Sequence, residues 1–146
     1  MDFAKVPTYE VCLVLVRSQR NVRALLQSLL KPYGMSLNEW LLLALIYEAP
    51  AGTLDMNELA EQLDVGKPHI TALFADLLAV NYVEQSADPK DKRRKIVHIT
   101  EHGTDVLQEV ESVAKSGLEE WLGEVPDEEF DRFLKISVLL ANKSES

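Results

Sequence analysis

The sequence has few of the residues that disulfide-bonded, metal-binding or membrane proteins need. It contains one cysteine, Cys12, which cannot form an internal disulfide and favours a reducing, cytoplasmic setting. Its three histidines, His69, His98 and His102, form no cluster at metal-ligand spacing, so no metal or other cofactor is expected. No apolar run reaches the length of a membrane span, and the amino terminus lacks a basic region followed by a long apolar core, which argues against secretion.

The sequence also lacks the patterns that carry common enzyme chemistry. It has neither a glycine-rich phosphate loop nor a Gly-x-Ser-x-Gly nucleophile elbow. His98 and His102 are four residues apart, but one falls at the end of a predicted strand and the other at the start of a predicted helix, so they would not share a helix face. We therefore expect no catalytic residues and no enzyme activity.

Basic charge is scarce, which argues against a nucleic-acid partner: 15 Lys and Arg face 24 Asp and Glu, for a net charge of −9. The acidity is mostly carboxy-terminal, because residues 101–146 carry 4 basic against 12 acidic residues, and residues 1–100 carry 11 against 12. Within residues 88–95, however, five basic side chains accompany two acidic ones. Phosphate binding depends mainly on charges within about one Debye length, roughly 8 Å at physiological salt, so a local positive patch can act on an acidic protein.

An uninterrupted helix is predicted at the start of the chain. No proline or glycine occurs between Pro7 and Lys31, and Pro32 and Gly34 then end the pattern. The run Val11–Val16 would be apolar on every side of this helix. In a soluble protein such a helix is buried on more than one face, and a chain of 146 residues cannot easily surround its own first helix. The sequence therefore predicts a homodimer with this helix in the interface.

Residues 57–100 contain the pattern on which the functional interpretation depends. A short amphipathic segment is followed by the Asp64-Val65-Gly66 break and by a second apolar-periodic segment, which is typical of a helix-turn-helix. Tyr82–Gln85 and Ile96–Ile99 are predicted strands, and they flank a polar tip with five basic residues. A β-ribbon with a basic tip directly after a helix-turn-helix is typical of a winged helix that binds a DNA duplex.

Local signals indicate where the helices begin and end. Ser36 and Glu39 fit a capping box, so a helix should begin at about residue 37, and Asp55 with Glu58 is a similar start signal. The second helix of the helix-turn-helix should open near Gly66. Asn81 stands where a helix terminator with positive φ is expected.

The carboxy-terminal part predicts a long helix from Thr100 to about Trp121 and, after a break at residues 123–126, a final helix. Both carry apolar stripes that look like an interface. We therefore expect a mainly α fold in one compact chain without a flexible linker. Residues 36–100 would form a winged helix-turn-helix DNA-binding module, and residues 1–35 and 101–146 a helical dimerisation module.

This order of elements resembles the MarR family of regulators over nearly the whole chain. The most specific match is Asp88-Pro89-Lys90-Asp91-Lys92-Arg93 followed by Val97-His98-Ile99-Thr100-Glu101-His102-Gly103, which looks like the family's aspartate-x-arginine wing and the "LT-x-x-G" start of its long helix. Further matches are Glu58-Leu59-Ala60, Ile70-Thr71, and Leu77 followed by Asn81-Tyr82-Val83. The chain departs from the family pattern at Asn81, where glycine is usual, at Leu78, where an acidic residue is frequent, and at Gly66, where a capping serine is frequent.

The candidate DNA contacts lie in two places. Amino-terminal side chains of a helix in the major groove reach base edges, so Lys67, Pro68, His69 and Ala72 are candidates for reading sequence, and Thr71 for a phosphate contact. The resemblance implies that Arg93 enters the minor groove, oriented by Asp91. Phosphate attraction would come from Lys90, Lys92, Arg94 and Lys95.

Two features could receive an input signal. Some members of the resembled family sense peroxides through a cysteine near the start of the first helix, where Cys12 lies, although Val16 and Leu26 occupy positions at which family sensors supply tyrosine hydroxyls. An inert cysteine acting as a small hydrophobe is the alternative. Other members bind lipophilic or aromatic effectors in a crevice between the modules; Arg17, Tyr33, Trp40 and Tyr47 could line it with Cys12, or the aromatics could be plain core.

The sequence therefore predicts a MarR-type DNA-binding transcriptional regulator. We expect a repressor that occupies a pseudo-palindromic operator as a homodimer and is released by a small lipophilic or aromatic effector. Two alternatives stay open: a thiol-based redox sensor acting through Cys12, and a winged-helix protein–protein adaptor without DNA binding.

Overall fold

The computed structural model describes residues 5–50, 54–93 and 95–143, and within these ranges the chain forms six α-helices, a 3-10 turn and one two-stranded antiparallel sheet. This confirms the predicted class, a mainly α winged helix. The elements in order are α1 (Thr8–Leu30), a 3-10 turn (Lys31–Tyr33), α2 (Leu37–Glu48), α3 (Met56–Leu63), α4 (Lys67–Ala79), β1 (Val83–Ala87), β2 (Lys95–Ile99), α5 (Glu101–Leu122) and α6 (Asp127–Ala141). No helix among the described residues is long and apolar enough to cross a bilayer.

The predicted helix starts are confirmed in their hydrogen bonds. At α2 the Ser36 hydroxyl accepts the Glu39 backbone N–H at 3.1 Å, while the Glu39 carboxylate accepts the Ser36 N–H at 2.6 Å. At α3 the Asp55 carboxylate accepts from the backbone N–H groups of Asn57 and Glu58. These bonds satisfy first-turn donors that have no partner within the helix.

The turn between α3 and α4 has the predicted position, and its left-handed residue is Asp64. Asp64 ends α3 with φ 53°, while Gly66 precedes α4 with an ordinary φ of −73°. Asp accepts positive φ better than most residues because its short polar side chain bonds locally. Asn81, which follows α4, has the predicted positive φ, 58°.

The core lies between α2, α3, α4 and the base of the wing. Its most deeply buried side chains, at most 2% exposed, are Leu30, Leu42, Leu43, Ile70, Leu77, Val83 and Val110. Leu30 belongs to α1 and Val110 to α5, so these two long helices pack onto the same core as the helix-turn-helix. The buried face of α4 therefore belongs to the same core as these side chains of α1 and α5.

The strands of the wing differ from the predicted bounds. The ladder runs from the Val83↔Ile99 pair to the Ala87↔Lys95 pair, whereas Tyr82–Gln85 and Ile96–Ile99 were expected. The prediction was wrong at four residues: it included Tyr82, which precedes β1, and it left out Ser86, Ala87 and Lys95. Ser86 and Ala87 were missed because neither residue has the size or branching typical of strands. Pairing across the ladder extends the strand there, and the Ser86 hydroxyl lies 3.3 Å from His98 Nε2. The wing tip is therefore residues 88–94.

Two helices leave apolar faces uncovered in the single chain. In α1 the residues Leu13, Val14, Leu15 and Val16 are 53–63% exposed. In α6 no residue is buried, and Phe133, Ile136, Val138, Leu139 and Leu140 are all more than half exposed. Apolar patches of this extent are rare on monomeric proteins and indicate an interaction surface.

Candidate nucleic-acid interface

The two faces of α4 have opposite character. Ile70, Leu73, Phe74 and Leu77 are buried in the core. Lys67, Pro68, His69, Thr71 and Ala72, the side chains predicted to face DNA, are all exposed. The amino-terminal half of α4 thus presents two ring side chains, a cation, a hydroxyl and a methyl group to solvent, which is a suitable surface for a major groove.

Thr71 is already hydrogen-bonded in the free chain. Its hydroxyl donates to the Lys67 carbonyl oxygen, one helical turn earlier, at 3.0 Å. A phosphate oxygen can only accept a hydrogen bond. The predicted Thr71–phosphate contact therefore requires the hydroxyl to give up its bond within the helix, which reduces the net gain from that contact.

Carboxylates accompany Lys67 at the start of α4. A shallow depression of about 570 Å³ is lined by Asn57, Glu61, Asp64 and Lys67 among others. The two carboxylates oppose attraction of phosphate to this part of the surface. Sequence-independent attraction must therefore come mainly from the wing.

The basic side chains of the wing tip, and that of Lys95 at the start of β2, are available to a ligand. Lys90, Lys92, Arg93 and Lys95 are exposed, and none of them forms an ion pair within the described part of the chain. Arg94, the remaining predicted contact, lies outside the described residues. Cations without carboxylate partners can bind phosphate without first breaking an intramolecular ion pair.

Asp91 contacts Arg93 differently from what the family resemblance implies. Its carboxylate accepts the Arg93 backbone N–H at 3.0 Å. No ion pair between the two side chains occurs among the described residues. In the free chain Asp91 therefore orients the main chain from which the Arg93 side chain projects, and it leaves the guanidinium group unpaired.

The root of the wing contains a polar junction that we did not predict. The Thr100 hydroxyl lies 2.6 Å from the Asn81 carbonyl oxygen, to which it donates, and accepts the Gly103 N–H at 2.9 Å. Tyr82 packs edge-on against His102, with ring centroids 5.1 Å apart. These contacts join the end of α4, the base of β1 and the first turn of α5. The Thr-x-x-Gly spacing could have indicated them, because a capping threonine bonds the amide three residues on.

The five candidate effector residues are not gathered in one cleft. Tyr33 lines a cleft of about 220 Å³ that contains none of the other four. Its hydroxyl donates to Glu109 at 3.3 Å, and partial desolvation followed by the Glu109 charge raises the pKa of Tyr33. Cys12, Arg17 and Tyr47 are exposed in the single chain.

Trp40 differs from the other candidates because it has an unmet hydrogen-bond requirement. Its indole nitrogen is buried and has no partner among the described residues, and the same holds for the Asn38 side-chain oxygen on the same helix. A buried donor without a partner costs about 1–3 kcal/mol. A water or a ligand that offers an acceptor would recover this free energy.

Comparisons with known proteins agree with this geometry. A model of the MarR family matches residues 33–94, which extend from the 3-10 turn to the wing tip. The HTH-type transcriptional regulator BilQ of Clostridioides difficile is 24% identical over 135 residues, which cover 92% of this chain and 90% of BilQ. MarR-family proteins are transcription regulators, so the prediction that the chain is not an enzyme is confirmed.

Two solved structures share the whole fold. BldR, a transcriptional regulator from Sulfolobus solfataricus, has a TM-score of 0.77 and 26% identity, covering 92% of this chain and 95% of BldR. CouR from Rhodococcus jostii RHA1, solved bound to p-coumaroyl-CoA, has a TM-score of 0.82 and 18% identity, covering 97% of this chain and 99% of CouR. The family model over residues 33–94, the likeness to BilQ along most of its length and the shared fold all agree: the chain is similar to the MarR family of winged helix-turn-helix transcriptional regulators.

Proposed function

We propose that the chain is a cytoplasmic, homodimeric repressor that binds a pseudo-palindromic operator. Each α4 would enter a major groove and each wing the adjacent minor groove. The observation that carries the proposal is the combination of an exposed α4 amino-terminal face with a wing tip whose described cations are exposed and unpaired. Occupying an operator that overlaps a promoter would exclude polymerase.

The uncovered apolar surfaces support the dimer. Residues 13–16 of α1 and most of the second half of α6 expose large aliphatic side chains on several faces of their helices. A second copy related by a twofold axis would cover both surfaces at once, because each surface meets its counterpart. Residues 1–35 and 101–146 would then form the dimerisation module and residues 36–100 the DNA-binding module. Cys12 lies next to this apolar run and would be covered with it, which weighs against a redox-sensing thiol.

A random-sequence duplex separates this proposal from a protein–protein adaptor. We expect the protein to bind a fluorescein-labelled random duplex at low salt and to lose that binding steeply as salt is added, because released counterions drive phosphate binding. Selection from the random pool should then return a two-half-site sequence with half-sites about 10 bp apart. A protein that retains no duplex at 20 mM salt would be the adaptor.

Replacing Arg93 with alanine should weaken operator binding about 10- to 100-fold, the range for one groove-inserted contact. The loss should be greatest on operators with A·T-rich flanks, whose narrow minor grooves concentrate negative potential around an inserted arginine. Anisotropy titrations at several salt concentrations measure both effects. The matched control is Lys92→Ala, which removes the same charge from the neighbouring position. It should weaken binding equally on all sequences and reduce the salt slope by about 1. Equal affinity and slope for Arg93→Ala and the unmodified protein would contradict the assigned role of the wing.

The Trp40 indole supports an effector that carries a hydrogen-bond acceptor. CouR was solved bound to p-coumaroyl-CoA, which has an aromatic group and several acceptors. We propose that an aromatic or lipophilic effector lies between the modules and accepts a hydrogen bond from the Trp40 N–H. Its binding would favour a distance between the two α4 helices of the dimer at which they no longer fit adjacent major grooves. Binding of such a ligand and of the operator would then weaken each other equally.

The variant Trp40→Phe tests this assignment. It removes a buried, unpaired donor, which stabilises, and also part of a ring packed against the core, which destabilises, so the thermal midpoint without ligand should change little. Release of operator DNA by p-coumaroyl-CoA should require about tenfold more ligand, since one hydrogen bond is lost. Trp121→Phe is the control, because Trp121 is 48% exposed and its N–H can reach water. A Trp40→Phe protein that responds to the ligand as the unmodified protein does would remove Trp40 from the effector site.

A further inference from the structure

The wing tip contains the same local arrangement twice in succession. Asp88-Pro89-Lys90 and Asp91-Lys92-Arg93 each run aspartate, any residue, basic residue. In the first, the Asp88 carboxylate accepts the Lys90 backbone N–H at 2.8 Å, and in the second, the Asp91 carboxylate accepts the Arg93 backbone N–H at 3.0 Å. Each aspartate therefore closes a turn on the main chain of the basic residue two positions later.

These two bonds lie beyond the end of the strand ladder. The strand ladder ends at the Ala87↔Lys95 pair, so Lys90 and Arg93 are both outside the sheet. Pro89, between Asp88 and Lys90, has no N–H and a nearly fixed φ, which suits the second position of a turn. Fixing one residue's backbone costs about 1–2 kcal/mol of conformational entropy. If the two turns already fix the backbone of Lys90 and Arg93 in the free protein, this entropy is not lost when DNA binds.

The negative charge of the two aspartates should weaken DNA binding, whereas the turns that they close should strengthen it. A carboxylate near the phosphates of a duplex is repelled, so removing its charge without changing the geometry should raise the affinity for DNA. Loss of affinity on removal of the whole carboxylate would therefore reveal a geometric role. Asparagine separates the two effects, because its side-chain oxygen can still accept the backbone N–H while the charge is gone.

We infer that Asp88 is a positioning residue for Lys90. By closing the Asp88-Pro89-Lys90 turn it aims the Lys90 ammonium group at a phosphate beside the groove that Arg93 enters. The wing tip is thus two consecutive turns that present two cations three residues apart, one to the backbone of DNA and one to the groove. This inference rests on the proposed DNA-binding function.

Four variants of the full-length dimer test the inference on a duplex selected from a random pool by the unmodified protein. Asp88→Ala should weaken binding about fivefold and lower the salt slope by about 1, because one phosphate contact is lost. Lys90→Ala should do the same. The double variant Asp88→Ala/Lys90→Ala should lose no more than either single variant, since both remove one contact. Asp88→Asn should bind at least as tightly as the unmodified protein, with an unchanged slope.

The outcomes that overturn the inference are distinct from failure of the proposed function. An Asp88→Ala protein that binds as tightly as the unmodified protein, while Lys90→Ala weakens binding, removes the positioning role. So does additive loss in the double variant, or an Asp88→Asn protein as weak as Asp88→Ala. If the unmodified protein selects no duplex, the proposed function fails and the inference fails with it. If Arg93→Ala weakens binding in the same assay, the DNA-binding function stands whatever Asp88 does.

Discussion

Replacing Leu139 with glutamate should convert the protein into a monomer and abolish operator binding. Leu139 is 68% exposed in the single chain and lies in the uncovered half of α6. In the proposed dimer, twofold symmetry would bury two unpaired carboxylates, each at a cost of several kcal/mol. A monomer holds only one half-site, so operator affinity should fall by about a thousandfold or more. Sedimentation equilibrium should show the 16.4 kDa chain alone, in place of twice that mass.

The matched control places the same side chain on a polar surface. Ser112 is exposed on α5, and Ser112→Glu should leave both the mass and the operator affinity nearly unchanged. Circular dichroism should show nearly the same total helix content in the Leu139→Glu protein as in the unmodified protein, so that loss of pairing is not mistaken for unfolding. A Leu139→Glu protein that sediments and binds DNA as the unmodified dimer does would show that α6 is not in the interface.

The variant Gly103→Ala should destabilise the protein by on the order of 3 kcal/mol, at the upper end for overpacking. A Cβ at this position would overlap the Tyr82 carbonyl oxygen and lie 2.8 Å from the Tyr82 carbonyl carbon. Both are backbone atoms, so no side-chain rotation can relieve the overlap. The same Tyr82 oxygen accepts the Thr100 backbone N–H at 3.0 Å, so a shift also strains the junction of wing and α5. Thermal unfolding should show a midpoint lower by on the order of 10 °C.

Gly117→Ala provides the comparison on the same helix. A Cβ at Gly117 would meet only the side chain of Leu29, whose end can rotate away. Alanine also favours a helix over glycine by up to about 1 kcal/mol, which offsets part of any crowding. Gly117→Ala should therefore shift the midpoint by a few degrees at most. If Gly103→Ala unfolds no earlier than Gly117→Ala, the close approach of α5 to Tyr82 is not needed for stability.

Features that depend on neighbouring residues could be predicted from the sequence. Ser36 and Glu39 form the expected capping box, because both partners lie within one turn of α2. Asn81 has its expected positive φ, and α4 begins directly after Gly66. The exposure of Lys67, His69 and Arg93 also agrees with the apolar periodicity of α4 and the polar composition of the wing tip.

Features that depend on contacts distant in sequence could not be predicted. The extension of β1 through Ser86 and Ala87 needs the opposite strand, since neither residue favours a strand by itself. The bond from Thr100 to the Asn81 carbonyl spans 19 residues. The unpaired Trp40 nitrogen is a property of packing around α2, which periodicity describes only as burial.

The uncovered surface of α6 affects how operator occupancy depends on the number of chains in the cell. Under the proposed pairing, a newly made chain cannot act until it meets another, so at low copy number operator occupancy rises roughly with the square of the number of chains. A modest fall in synthesis would then empty the operator more sharply than it would for a protein that works singly. Until a second copy binds, the exposed apolar side chains of α6 also make the single chain a substrate for chaperones and proteases. This loss of unpaired chains makes operator occupancy depend still more steeply on the rate of synthesis.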